Sequence, residues 1–542
     1  MYYIDMLQKQ KLTNFLTLLI LLFSTVWLKE INFLFYNSTE SPDFAEYFVY
    51  FDHFANSNFK TSREHGLMYY YLHYINYYFQ YNSFSNIEMF LHKSIQEVNF
   101  WIYIYGLLGY FYLLKLYKFK NSTIFTTFTF LNFFPVSIVL RLVFKPEILA
   151  FALLPWILYC IEKFKQKNNI FFLYVLIPLF ISCITLKGNI LAIICLYLLI
   201  TNLSIFSRIK KIQLLIIFLM VAVSFLAISY ENSSANEKNI LDVQSGATYR
   251  NNYDNKAPFN IIYKFNLYSL ATSPIKNYHA DSFLGITLLE TSGDYFNLYW
   301  KNDSSGYSMA SHEVIKFETS PEIKKPKYDR DTNSLIIFTQ KNTDLYLKSS
   351  IGLLISIIFY FFLLKNLSTG YDYRKYISAF LLGAILLLIH AITGFPVNNF
   401  DPNVGDTFKP HYYSFLLLLS TVFFVASCLK KNKKSFIYVF IYIFIIIFLL
   451  GFPKTPTQDL NQNISYFIEY SNFCNFESHV YDNIYGIEEV DCFDKELTTD
   501  LLSPSNKLFG DSLLIKPINL LFIFLSLTSS TFVAAHRRYF KK

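Results

Sequence analysis

The sequence predicts an all-α polytopic membrane protein with about twelve transmembrane helices and large loops on the outer face. Composition is the first indication, because 53% of the 542 residues are hydrophobic and the mean hydropathy is +0.31, which is too apolar for an ordinary soluble domain. Hydrophobic runs such as 12–28, 190–206 and 436–452 approach the roughly 20 residues that a spanning helix needs. Short basic segments between the runs are the third indication, because such segments stay on the cytoplasmic side of a membrane.

The hydrophobic runs define about twelve spans with both termini inside. They cover residues 12–28, 98–114, 123–140, 147–161, 170–186, 189–206, 212–230, 349–364, 376–394, 412–428, 435–452 and 518–535. Every basic segment then lies inside, namely Lys9/Lys11, Lys115/Lys118/Lys120, Lys163/Lys165/Lys167, Arg208/Lys210/Lys211, Arg374/Lys375, Lys430/Lys431/Lys433/Lys434 and Arg537/Arg538/Lys541/Lys542. The first run lacks a small-residue cleavage site and is interpreted as an uncleaved span. In an alternative interpretation, the third and fourth spans form a re-entrant pair.

Hydropathy divides the chain into two membrane modules, two large outer loops and a last span with a basic tail. The modules contain about seven and about four spans, and the first module carries the first outer loop at 29–97. The larger of the two later loops is expected to carry helices on the membrane surface. In chain order, the five segments are 1–230, 231–348, 349–452, 453–517 and 518–542.

Cys474 and Cys492 share the predicted outer loop at 453–517. Disulfides persist in oxidising compartments such as the periplasm, so a bridge between these two residues is predicted. Two unpaired thiols are the alternative, because spacing along the chain does not show whether the geometry of a disulfide is met.

The formal net charge of +8 is explained by the inner basic segments. These segments lie beside helix ends, where anionic lipid headgroups attract cations. The charge therefore does not indicate a nucleic-acid partner.

Acidic side chains gather in the first outer loop, soon after the first span. The stretch SPDFAEYFVYFDHF contains Asp43, Glu46 and Asp52, and the later stretch REHGLMYYYLHYI contains Glu64 and His65. A carboxylate held near the membrane surface can act as a general base toward a hydroxyl or an amine. Two such carboxylates together with the histidine could instead bind a divalent metal, so the sequence leaves metal dependence open. Helix capping and solvated charge are the structural alternative.

Charged residues also occupy very short connections between hydrophobic runs. The stretch RLVFKPEILA contains Arg141, Lys145 and Glu147, and Lys187 stands alone in a tight turn. Charges at membrane depth are costly and usually face a cavity or a partner. The arginine fork and the lysine ammonium both suit a phosphate, so these residues are predicted to bind substrate. Cations that extend toward the headgroups from a helix end are the alternative.

A further polar cluster precedes the tenth span. The stretch VGDTFKPHYYS contains Asp406 and His411, with Lys409 between them. A histidine at a helix start is often only an interface residue, but this one shares a short loop with an acid and a cation. Asp406 and His411 are therefore included in the predicted substrate site.

Taken together, these segments resemble the membrane-embedded glycosyltransferases of the GT-C superfamily, including the ArnT-like and protein-mannosyltransferase-like branches. Asp43, with Glu46 and Tyr47, is similar to the acidic motif of the family's first outer loop, and Glu64 is similar to its second acidic residue. Phe44 and Ala45 separate the acidic pair here, so Asp52 is the alternative to Asp43 as the base. The Arg141 to Glu147 stretch resembles the family's basic and acidic signature at the third outer turn.

The resemblance implies an enzyme that moves a sugar from a polyprenyl-phosphate donor to a lipid, glycan or protein acceptor on the outer face of a membrane. Asp43 or Asp52 would deprotonate the acceptor, the cations would stabilise the leaving phosphate, and direct displacement would invert the anomeric centre. The expected location is a bacterial inner membrane, with the site facing the periplasm, and an ER membrane is the alternative. An outer-face glycan polymerase or ligase, a twelve-span transporter and a non-catalytic scaffold are the competing interpretations. Sugar, acceptor and oligomeric state stay open.

Overall fold

The computed structural model describes residues 2–35, 47, 51, 67–80, 87–186, 188–202, 218–223, 226, 262–272, 282–292, 343–367, 373–393, 410–432 and 434–450. Within these ranges every regular element is a helix and no β-strand occurs, which agrees with the predicted all-α class. The α-helices are α1 (Tyr2–Phe35), α2 (Leu67–Gln80), α3 (Ile87–Leu116), α4 (Asn121–Phe133), α5 (Pro135–Leu142), α6 (Glu147–Lys167), α7 (Phe171–Ile184), α8 (Gly188–Asn202), α9 (Leu267–Thr272), α10 (Phe283–Ser292), α11 (Thr343–Leu367), α12 (Arg374–Ile377), α13 (Ala379–Thr393), α14 (Ser414–Lys431) and α15 (Ser435–Leu450). A 3-10 helix, Pro410–Tyr413, precedes α14.

Three described helical segments are long and apolar enough to cross a membrane, namely Gln10–Lys29, Ser350–Leu367 and Ser414–Lys431. They coincide with the predicted first, eighth and tenth spans. Shorter apolar helices coincide with further predicted spans, as in α7, α8 and α15. The predicted span 518–535 and most of 212–230 lie outside the described residues. The described helices are consistent with an integral membrane protein, and the count of about twelve spans stays a prediction.

The predicted third span, 123–140, is not one straight helix. It consists of α4 and α5, whose axes differ by 65° across a break at Phe134. Pro135 has no N–H group and disfavours helical geometry in the residue before it, so Phe134 is extended, with φ −73° and ψ 124°. The break frees backbone carbonyls at the end of α4, which must find other donors. This bent pair has the geometry of a broken span or of a re-entrant loop.

The helices pack as two compact units, and the chain changes from one to the other several times, once between Val143 and Phe144. The first unit contains α1, α4, α5 and α9 to α15. In it, α4 packs against α1, α14 and α15, with the rings of Phe130 and Tyr442 4.4 Å apart. Helix α10 packs against α11, α5 and the 3-10 helix. A helix from the predicted outer loop 231–348 is thereby part of this unit's core.

The second unit contains α2, α3 and α6 to α8, and its most extensive contact joins α3 to α6. Two glycines of α3 make this contact close. A Cβ added at Gly106 would lie 2.7 Å from Cε1 of Phe151, and one added at Gly109 would lie 2.9 Å from Nε1 of Trp156. A side chain at either position would push α6 away. The glycines therefore set the position of α6, whose first residue is Glu147.

Candidate functional site

Polar and charged side chains are buried together in the second unit, where α2, α3 and the start of α6 meet. We call this group the Lys145 cluster, and it consists of Tyr69, His73, Asn99, Lys145 and Glu147. All five are at most 2% exposed. Burying charge is costly unless it is compensated by hydrogen bonds or opposite charge. Such a cluster is therefore expected to serve a purpose beyond packing.

Tyr69 connects the members of the Lys145 cluster. Its hydroxyl donates a hydrogen bond to Oδ1 of Asn99 on α3, at 2.9 Å. Burial raises the pKa of the Tyr69 phenol well above its ordinary value, and the charge of Glu147 raises it further, while the bonds with Asn99 and with the Lys145 backbone oppose that rise. At neutral pH the phenol is therefore protonated and acts as a donor. The hydrogen bond with the Lys145 backbone joins α2 to the turn that precedes α6.

The predicted first outer loop reaches the Lys145 cluster through Tyr47 and Phe51. The Nζ atom of Lys145 lies 5.4 Å from the centre of the Tyr47 ring, which is within the range of a cation–π interaction. The ring of Phe51 meets that of Phe144 edge to face, with centres 5.9 Å apart. Both loop residues are 2% exposed. The structure thus joins two segments that the sequence analysis singled out separately, the acidic loop and the basic turn.

His73 is the member of the Lys145 cluster that packs against two aromatic rings. Its ring meets the rings of Tyr69 and Phe144 edge-on, with centres 4.4 and 4.9 Å away. Its Nε2 atom is buried and has no hydrogen-bond partner in the described part of the chain. Burial lowers the pKa of the His73 imidazole to about 3, so this side chain is neutral at physiological pH.

The low pKa of His73 predicts a loss of stability in acid. Between pH 6.5 and about pH 3 the unfolded chain binds a proton at this residue and the folded chain does not, so lowering the pH favours unfolding. From pH 7 to pH 4.5 this group should cost about 2 kcal/mol of unfolding free energy. A His73→Phe variant lacks the effect, and denaturation in detergent at both pH values measures the difference. An equal fall in both proteins would contradict the prediction.

Arg141 belongs to the first unit, in the last turn of α5, and its side chain is 3% exposed. Its Nη2 group donates to the carbonyl of Asn132 at 2.8 Å, and its Nε group donates to the carbonyl of Ser137 at 3.2 Å. The Asn132 side chain in turn donates to the hydroxyls of Ser24 and Thr25 on α1, at 3.0 and 2.8 Å. Arg141 therefore supplies a donor to a carbonyl that the break in the helix has freed.

The predicted set of Arg141, Lys145 and Glu147 is thus only partly brought together. Lys145 and Glu147 share the Lys145 cluster, whereas Arg141 bonds within the other unit. The remaining predicted residues lie outside the described part of the chain, namely Asp43, Asp52, Glu64, Lys187, Asp406, Cys474 and Cys492. His411 belongs to the 3-10 helix, but its side chain is also outside the described part. Their roles stay predictions.

Within the described ranges, no three His, Cys, Asp or Glu side chains come close enough to hold a metal ion. The carboxylates and the histidine predicted as possible metal ligands are residues 43, 46, 52, 64 and 65, all outside those ranges. Metal dependence therefore stays an open prediction.

Sequence reasoning missed the residues that surround Lys145. Tyr69 and His73 stand in the aromatic stretch MYYYLHYI, which composition alone explains, and Asn99 is a single polar residue beside a hydrophobic run. The first unit holds another missed residue, Glu290 on α10, which is 4% exposed although it precedes a turn-like Ser-Gly-Asp sequence. A polar residue within an apolar stretch was the available signal in each case.

The chemistry available to the Lys145 cluster follows from its charges. A desolvated ammonium attracts an anion more strongly than a solvated one, because the local dielectric constant is low. The protonated Tyr69 phenol and the neutral His73 imidazole add hydrogen-bonding groups without adding charge. Lys145 thus suits an anionic group such as a phosphate.

Comparison with protein-family profiles, curated proteins and solved structures finds no match to this chain.

Proposed function

We propose that the protein is an integral-membrane glycosyltransferase of the GT-C type, which moves a sugar from a polyprenyl-phosphate donor to a lipid, glycan or protein acceptor. The observation that carries the proposal is the position of the Lys145 ammonium, 5.4 Å from the Tyr47 ring. It places a buried cation, suited to a phosphate, against the loop that contains the acidic residues. The reaction requires a group that stabilises the leaving phosphate and a base that deprotonates the acceptor.

In the proposed reaction, Lys145 neutralises the phosphate of the lipid. The bond between the anomeric carbon and the phosphate oxygen breaks, and the electron pair leaves with the lipid phosphate. A new bond forms between the anomeric carbon and an acceptor oxygen or nitrogen. The proton of the acceptor passes to the carboxylate of Asp43 or Asp52, with Glu64 as a further acidic residue of the same loop. Attack opposite the leaving group inverts the anomeric centre.

The remaining residues have supporting roles in this proposal. Glu147, whose charge raises the pKa of Tyr69, keeps the phenol protonated as a donor, and Lys187, Asp406 and His411 are proposed to contact the donor lipid. Arg141 is proposed to act on the phosphate in addition to its bonds with the α4 carbonyl. The apolar helices support a location in a membrane, and we propose the bacterial inner membrane with the reaction on the periplasmic face.

The proposal predicts that Lys145→Met abolishes most sugar transfer. Loss of one preorganised group that stabilises developing charge lowers the rate by about 100-fold or more. The measurement is transfer of radiolabelled sugar from a polyprenyl-phosphate donor into membrane glycans, normalised to the amount of folded protein. Lys163→Met is a matched control. Nζ of Lys163 also lies near an aromatic ring, 5.8 Å from the centre of Tyr159, and both residues are on α6. Lys163 belongs to a predicted inner segment, away from the proposed site.

Loss of sugar transfer in Lys145→Met but not in Lys163→Met supports the proposed site. The same rate of transfer in both variants contradicts it. Asp43→Asn and Asp52→Asn, assayed in the same way, identify the base, because the variant of the working carboxylate loses transfer while the other keeps it.

A further inference from the structure

The His73 ring packs against two aromatic rings, yet its Nε2 atom is polar and buried. The side chain is 2% exposed, and the atom has no hydrogen-bond partner in the described ranges. A buried polar atom that is left unsatisfied destabilises the folded protein. A phenylalanine would fill the space between Tyr69 and Phe144 without that cost. The Nε2 atom is therefore available for a hydrogen bond with a bound molecule.

His73 lies beside the residues that connect to Lys145, which is proposed to bind the donor phosphate. Its ring contacts Tyr69, which interacts with the Lys145 backbone and with Glu147, and it contacts Phe144, which precedes Lys145 in the chain. One side chain therefore separates the imidazole from the backbone of Lys145, the residue assigned to the phosphate. This position makes His73 a candidate contact for the sugar that is attached to that phosphate.

The charge state of His73 selects the kind of group. Because burial lowers the pKa of the imidazole to about 3, the ring does not compete with Lys145 for an anion. A neutral imidazole offers one N–H donor and one nitrogen acceptor. A hydroxyl has the same combination of donor and acceptor. Among the described residues, the ring contacts of His73 are with the protonated Tyr69 phenol and with Phe144, and neither contact gives the imidazole a charge.

We propose that Nε2 of His73 forms a hydrogen bond with a hydroxyl of the sugar on the polyprenyl-phosphate donor and so distinguishes the sugar-bearing lipid from the bare lipid phosphate. This inference rests on the proposed function. It assigns the sugar to His73 and the phosphate to Lys145 within the Lys145 cluster. His73 is a binding residue in this account and moves no proton.

Binding measurements on the purified protein in detergent test whether His73 binds the sugar and Lys145 binds the phosphate. The probes are a short-chain polyprenyl phosphate and its glucose, mannose and arabinose adducts, titrated by calorimetry. We expect the wild-type protein to bind at least one adduct more tightly than the bare lipid. His73→Phe should weaken binding of that adduct about tenfold and leave the bare lipid unchanged within twofold. His73→Gln, whose amide replaces Nε2, should retain most of the affinity.

The outcomes separate this inference from the proposed function. If His73→Phe binds the adduct as the wild type does while Lys145→Met loses both lipids, the role of His73 is wrong and the proposed function stands. If His73→Phe weakens both lipids equally, its role is structural and the inference fails. If the wild-type protein binds none of the four lipids, the proposed function fails, and the inference with it.

Discussion

Replacement of Arg141 by methionine is expected to lower the free energy of unfolding by about 3 kcal/mol, because two charge-assisted hydrogen bonds of about 1.5 kcal/mol or more are lost. The Asn132 carbonyl lies at the end of α4, where the break at Phe134 removes the helical donor, and the Nη2 group of Arg141 replaces that donor at 2.8 Å. Methionine fills much of the space but donates nothing. Denaturant titration in detergent measures the change.

Two further variants give this prediction its controls. Arg374→Met removes an exposed arginine from the same unit and should change stability by less than about 0.5 kcal/mol. Arg141→Lys keeps the charge, but a single ammonium does not reproduce the fork that bonds both carbonyls, so most of the loss should remain. If Arg141→Lys is as stable as the wild type, the two hydrogen bonds from the guanidinium to the carbonyls do not account for its contribution to stability. Sugar transfer per folded Arg141→Lys molecule then tests its proposed phosphate contact.

Replacement of Tyr69 by phenylalanine is expected to cost about 2 kcal/mol of stability, because the fully buried hydrogen bond from its hydroxyl to Oδ1 of Asn99 is lost. Tyr110→Phe on α3 is a matched control. Its hydroxyl is equally buried but makes no hydrogen bond in the described part of the chain, so its removal should be neutral or stabilising. Thermal unfolding of both variants in one detergent gives the comparison.

The Tyr69 prediction is sharpened by a double-mutant cycle. Asn99→Leu alone leaves the Tyr69 hydroxyl buried without its acceptor and should also destabilise the protein. The double variant removes both polar groups and should be less destabilised than the sum of the single variants by about 1–2 kcal/mol. Additive losses would show that the two side chains do not interact. Equal losses in Tyr69→Phe and Tyr110→Phe would show that the bond with Asn99 adds no stability.

The helical class and several element positions followed from the sequence because they depend on local patterns. Hydrophobic runs predicted helices at 12–28, 349–364 and 412–428, and the structure has helices there that are long enough to span a membrane. The break inside 123–140 was not predicted, although Pro135 carried the signal. A proline that removes one N–H group acts on its immediate neighbours, and this effect is readable from the sequence once it is sought.

The sequence by itself determined which residues carry costly charge, since Arg141, Lys145 and Glu147 stand between apolar runs and are buried. Only the tertiary structure decided what those charges meet. Tyr47, Tyr69 and Asn99 are distant from Lys145 along the chain, and they reach it because α6 packs closely on the glycine face of α3 and α2 packs on α3. Arg141, four positions before Lys145, bonds instead within the other unit. Contacts of this kind depend on how helices pack, and no periodicity or spacing in one segment encodes them.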